Sequence, residues 1–160
     1  MRSSNGSGKK KARRSRPTVV VGWNEFIDLP EWGVRGLRAK LDTGARSSAL
    51  HVDNLLELPG ERVRFDVVLD RNGSRQRVIA AVTRRAKVRS STGRYTRRIF
   101  VRTVVRIGPL DRPVELSLVD RERMVYRMLI GRSTLSGHYL LDVGSQCLHG
   151  RPDRTPKRRN

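Results

Sequence analysis

The chain has 160 residues, with 35 Lys and Arg against 15 Asp and Glu, giving a formal charge of +20. That length suits one domain, and 36% hydrophobic residues can build a core, so a wholly unfolded chain and a neutral surface are both excluded. The single cysteine, Cys147, excludes an intrachain disulfide, and no run approaches the roughly 18 apolar residues of a membrane span, so a reducing cytoplasmic setting without membrane contact is expected.

Residues 1–17 carry seven basic side chains and no acid among Ser and Gly, a composition expected to form a disordered basic tail. Residues 149–160 form a second basic tail, with five bases against Asp153. Between them, residues 18–148 hold 23 basic and 14 acidic side chains and read as one folding unit that still attracts polyanions.

The body opens with a strand over Thr18–Trp23, a turn at Asp28-Leu-Pro-Glu-Trp-Gly33, and a second strand over Val34–Leu41 that runs into Asp42. Val63–Leu69 and Arg75–Val82 flank Asn72-Gly73, the strongest short hairpin signal in the chain. A further hairpin pivots near Ser91-Thr92-Gly93 and leads into the long strand Tyr95–Ile107. A turn over residues 108–113 precedes the alternating strand Val114–Val119; then come the apolar Met128–Ile130, a helical turn at Arg132–Ser136 and a last strand at Tyr139–Val143. Many short strands with regular turns predict a mostly β, single-domain fold in the form of a small closed barrel.

Chemistry concentrates in Ala39-Lys40-Leu41-Asp42-Thr43-Gly44-Ala45, where an apolar strand delivers a carboxylate followed by a hydroxyl and a glycine. Alone, Asp-Thr-Gly reads as a strand-ending turn. About ninety residues later stands Arg127-Met-Leu-Ile-Gly131-Arg132, two apolar residues before Gly-Arg. With Gly22-Trp23, Arg46-Ser-Ser-Ala-Leu-His51, Arg121-Glu-Arg-Met124 and Leu140-Leu-Asp142, this combination resembles the bacterial retropepsin-like aspartic protease family, also labelled ATP-dependent zinc protease. The resemblance spans approximately residues 20–150. No His-Glu-x-x-His is present, and Gly6-Ser-Gly-Lys-Lys10 lacks both the upstream glycine and the closing Ser/Thr of a phosphate loop, so no metal and no cofactor is expected.

The resemblance implies a retropepsin barrel and a homodimeric aspartic peptidase in which each chain supplies one Asp42. One carboxylate of the pair acts as base on a water while the other donates to the substrate carbonyl. It further implies that Thr43 bonds across the two-fold axis, that Gly44 leaves room for substrate backbone, that Ala45 and Arg132 support the active-site loop, and that Gly131 packs on it. A hairpin from residues 63–98 would be the flap, with Arg84–Arg98 lining the way in. Retroviral relatives carry an acid after Asp-Thr-Gly-Ala that can pair with the arginine of Gly-Arg. Here that position is Arg46, so Arg132 is expected to find Asp142 or Asp120 instead.

Other residues read as structural. His51 is a packed histidine, His138 and His149 are surface groups, Trp23 and Trp32 anchor the barrel, and Cys147 is an idle thiol. Two functions follow. One is a peptidase acting on acidic or ribosome-associated protein, with glutamate-rich tails suggested by the family's association with glutamate ligases. The other is a non-catalytic basic adaptor that binds RNA or acidic protein through its tails.

Overall fold

The structure, a computed structural model, describes residues 18–89, 92–120 and 125–150. The strands are β1 (Val19–Gly22), β2 (Asn24–Leu29), β3 (Val34–Leu41), β4 (Ser48–Leu58), β5 (Arg62–Val68), β6 (Arg75–Arg89), β7 (Tyr95–Ile107), β8 (Leu110–Val119), β9 (Met128–Ile130) and β10 (Tyr139–Asp142), with a four-residue helix α1 (Arg132–Leu135).

Hydrogen bonding runs from β2 to β3, β9, β4, β8 and β7, and β7 pairs back to β2, so the sheet closes on itself. β5 and β6 form a second path between β4 and β7. The expected mostly β, closed single-domain fold is what the chain adopts. Alternation explains the inside: Leu37, Ala39 and Leu41 of β3 are buried while Arg38 and Lys40 face out, and Val101, Val105 and Ile107 of β7 do the same between Arg102 and Arg106. Phe65, Phe100, Leu50, Leu116 and Ile130 complete the core, each such burial contributing about 2 kcal/mol. Among the described residues, no helix is long and apolar enough to cross a membrane.

β2 and β4 fall where no strand was expected. In β2, Asn24 and Glu25 are both fully buried, which breaks the apolar alternation that marks a strand. Both serve the returning C-terminal segment: the Glu25 carboxylate accepts the N–H groups of Gly22 at 2.7 Å and Leu148 at 3.0 Å, and the Asn24 carbonyl accepts that of Cys147 at 2.8 Å. β4 is buried on both faces over Ser48–Val52 and then exposed after Asn54, whose φ of 52° accompanies a shift of register. The turn expected over residues 108–113 is tighter: Gly108, at φ 57°, reverses the chain so that Ile107 pairs with Leu110.

Gly22 admits this C-terminal segment because a Cβ there would stand 2.5 Å from the Ser145 carbonyl oxygen. The described chain stays attached beyond residue 148. His149, expected as a surface group, is exposed, and its Nε2 lies 2.8 Å from the Val20 carbonyl oxygen while the ring covers Gly108. The expected tail over residues 1–17 and all of the expected 149–160 tail beyond residue 150 lie outside the described residues, as does Arg121-Glu-Arg-Met124.

Candidate active site

β3 ends by handing its chain to Asp42, whose N–H donates to the Ile130 carbonyl of β9 at 2.8 Å. The next residues turn sharply: the Gly44 N–H donates to Asp42 Oδ1 at 2.9 Å, and the Ala45 N–H to the Asp42 carbonyl at 3.3 Å. The carboxylate is half-buried, and Oδ2 has no hydrogen bond among the described residues. Gly44 fits this turn closely, since a Cβ there would stand 3.1 Å from Asp42 Oδ1.

Gly131 and α1 lock the turn from behind. A Cβ on Gly131 would lie 2.6 Å from the Ser47 carbonyl oxygen and 3.0 Å from that of Ala45. At this contact the N–H groups of Arg132 and Ser133 donate to the carbonyls of Ala45 and Arg46 at 2.9 and 3.0 Å. Ser48 completes the join: its Oγ accepts the Gly131 N–H at 3.0 Å and lies 2.8 Å from Thr134 Oγ1, all of it buried. The sequence reading did not single out Ser48 or Thr134; small hydroxyls inside an apolar stretch were the available signal.

Arg132 does not pair with Asp142 or Asp120 as expected. Its Nη1 donates to the Thr43 carbonyl at 2.8 Å, so the guanidinium satisfies the Asp loop backbone in place of an acid. Asp142 is engaged in its own turn, accepting from the Gly144 N–H at 2.9 Å and Ser145 Oγ at 2.6 Å, which together hold its carboxyl below the usual range. Thr43 is exposed, and its hydroxyl has no hydrogen bond among the described residues. It borders a hollow of about 400 Å³ shared with Arg132, Leu135, Tyr139, Leu140 and Leu141.

The proposed flap region forms two successive hairpins, β5–β6 and β6–β7. Arg84 is tied to Glu115 at 2.8 Å, and Arg85 to Glu57 and Glu61 at 2.7 and 2.6 Å, so both have structural acids as partners. His51 is buried, with Nε2 at 3.5 Å from Asp53. Trp23 meets Tyr126 edge-on at 5.9 Å, and Trp32 meets Phe65 at 5.4 Å, both as packing contacts. Thr43, Gly44, Ala45 and Arg132 offer no side chain to join Asp42 in holding a zinc ion, and the donor set of one chain does not fit that metal.

A closed β ring whose Asp-Thr-Gly turn is locked to a hydrophobic-Gly-Arg segment defines a retropepsin-like chain. Residues 20–152 match the family described as retropepsin-like aspartic endopeptidase RimB, and the chain belongs to that RimB-like family. It is 32% identical over 140 residues to a probable alpha-L-glutamate ligase of Shewanella pealeana, covering 84% of this chain and 31% of that protein. A Parasynechococcus marenigrum protein of the same name is 33% identical over 130 residues, covering 78% and 28%. The chain thus spans about a third of the length of these curated relatives, which carry a ligase name and not that of a zinc protease. A Legionella pneumophila crystal structure, titled as a protein of unknown function, superposes with a TM-score of 0.71 at 24% identity, covering 83% of this chain and 99% of that one.

Proposed function

We propose that the chain is one half of an aspartic endopeptidase that hydrolyses peptide bonds in glutamate-rich protein segments. The observation that carries this reading is the Asp42 carboxylate: Oδ1 is held by the Gly44 N–H while Oδ2 is left free at the end of a locked turn. One carboxylate cannot act as base and acid at once, so the site is completed by Asp42 of a second copy. The two share a proton; the ionised one takes a proton from water as its oxygen attacks the carbonyl carbon, and the protonated one donates to the carbonyl oxygen. Collapse of the tetrahedral intermediate then breaks the C–N bond as the carboxyl that took the water proton gives it to the leaving amine and the other recovers its proton from the carbonyl oxygen.

The surface beside Thr43 suits a second copy. Val20 and Leu140 face each other in β1 and β10, 48% and 61% exposed, and Val143 follows at 79%. A second chain there would cover this apolar strip and present its own Thr43 hydroxyl to this one. Glutamate enters as substrate through two observations: the basic body, and relatives named as glutamate ligases in which a segment like this chain occupies under a third of the length. A hydrolase carried beside a glutamate-joining enzyme has the joined product at hand.

The test is hydrolysis of an α-linked octaglutamate against octaglutamine, with wild type and Asp42→Asn. Asp42→Asn keeps the shape and removes the proton exchange, so turnover falls by roughly 10²- to 10⁴-fold with melting unchanged. Specific activity of wild type rises on concentration as dimers form. Wild-type turnover in Asp42→Asn, or a monomer fully active at every dilution, overturns the shared site.

A further inference from the structure

Four arginines of β6 have structural acids. Arg75 meets Asp53 at 2.7 Å, and Arg77 meets Asp66 at 2.9 Å. Two arginines nearby do not. Arg71, exposed at the tip of the β5–β6 hairpin, and Arg127, half-buried just before β9, have neither a hydrogen bond nor an ion pair for their guanidinium among the described residues.

Both stand at two adjoining hollows. The smaller, of about 220 Å³, is lined by His51, Asp53, Asp70, Arg71, Arg75 and Arg127. The larger, of about 360 Å³, has Arg71 and Arg127 again, together with Arg38. The acids present are already engaged. Asp70 Oδ1 accepts the N–H groups of Asn72 and Ser74, while Asp53 accepts from Arg75 and faces His51. What remains without a hydrogen bond or ion pair at these hollows, among the described residues, is the pair of guanidinium groups of Arg71 and Arg127.

The distance of Arg127 from Asp42 follows from register. β3 and β9 run parallel with Leu41 opposite Ile130 and Ala39 opposite Met128, so Arg127 lies four residues back from the level of Asp42. At roughly 3.3 Å per residue that is about 13 Å, the span of three to four residues of an extended peptide.

We propose that this pair of hollows is a carboxylate-binding subsite in which Arg71 and Arg127 take the side chain of an acidic residue three or four positions from the bond cut at Asp42. The assignment rests on the peptidase reading and adds where specificity for acid resides. A planar guanidinium offers paired N–H donors that match a carboxylate, and neither arginine has to abandon a partner to bind one. A nucleic-acid strand fits less well, because no Trp, Tyr or Phe lines the smaller hollow for a base to stack on.

Fluorescein-labelled octaglutamate, kept intact by the Asp42→Asn background, reports binding by anisotropy at ~0.15 M salt. Arg71→Gln and Arg127→Gln each weaken it about tenfold, with unchanged melting because no intrachain partner is lost. Arg35→Gln and Arg102→Gln, exposed charges of β3 and β7, change it less than twofold. In the active background, a Glu-to-Gln scan of the peptide shows wild type discriminating at the third or fourth position from the cleaved bond, and R71Q/R127Q losing that discrimination alone. Equal weakening by both pairs of variants, an unchanged scan in R71Q/R127Q, or loss of binding to an RNA oligonucleotide with peptide binding intact overturns the subsite. If Asp42→Asn retains hydrolysis while R71Q/R127Q still abolishes tight peptide binding, the carboxylate site stands and the peptidase reading falls.

Discussion

Gly131→Ala tests whether the close join behind Asp42 is the device that holds the site. Gly131 has φ −90° and ψ 174°, backbone that alanine adopts freely, so the substitution introduces no conformational strain of its own. The whole effect must come from the new Cβ, which would meet the Ser47 carbonyl oxygen at 2.6 Å. An ordinary carbon–oxygen approach is roughly 3.3 Å, so the Asp loop must recede by about 0.7 Å. That displacement stretches the bonds from the Arg132 and Ser133 N–H groups to Ala45 and Arg46, now 2.9 and 3.0 Å, out of the useful range. Two weakened hydrogen bonds and an overpacked contact together cost about 2–4 kcal/mol. Gly33→Ala is the contrast: nothing lies within 4 Å of its Cβ, but φ is 65°, so it costs about 1 kcal/mol by backbone alone. Urea denaturation gives both stabilities, and octaglutamate hydrolysis, measured where both variants are folded, gives activity. Gly131→Ala should lose activity by about 10²-fold beyond its unfolded fraction, because reacting groups are displaced, whereas Gly33→Ala should keep it. A Gly131→Ala protein within 0.5 kcal/mol of wild type and fully active would refute the reasoning.

Asp66 is buried, and the hydrogen bond from Arg77, helped by Asn54, holds its carboxyl at about 2 against an ordinary 3.8. A lowered folded value contributes stability above about pH 4 that is lost as the pH falls toward 2, so Asp66→Asn should destabilise by about 1–2 kcal/mol at neutral pH, after screening at exposed Arg77, and flatten that acid limb in denaturation titrations. Deleting residues 1–17, with seven bases and no acid, should weaken polyanion binding and flatten its salt dependence while leaving melting unchanged; an unaltered salt slope would assign the attraction to the body.

The elements legible in the sequence are those in which one local rule dominates. Tyr95–Ile107 is rich in β-branched and aromatic residues between two glycine turns, and Met128–Ile130 is apolar throughout; both appear with the expected limits. Asn72-Gly73 turns where its dipeptide implies, with Gly73 at φ 85°. β2 was hidden because Asn24 and Glu25 are buried for partners more than 120 residues away, which no local window contains. Arg132 was misassigned for a related reason: a search among side-chain acids overlooks the backbone carbonyl of Thr43, which carries no residue-type signature. Asp42, Gly131 and Arg132 were found as a pattern, yet the buried Ser48–Thr134 bond that holds them together became visible only in three dimensions.

Total charge is a poor guide to where an acidic partner would settle, and the distribution of acids explains why. Arg75, Arg77, Arg84, Arg85 and Arg106 each contribute to the formal +20, but each faces a carboxylate within 3 Å that belongs to the fold. An incoming acid would have to displace a partner already in place, and such exposed pairs return little energy for the exchange. Arg132 is likewise occupied, by the Thr43 carbonyl of the Asp42 turn, so drawing it away would loosen that turn. Arg71 and Arg127 carry neither obligation, and Arg127 stands four residues back from the level of Asp42 in the β3–β9 register. On the proposed function, selectivity for acidic substrate would fall to unpaired arginines such as these, with the larger basic surface acting as a long-range attraction that salt can screen.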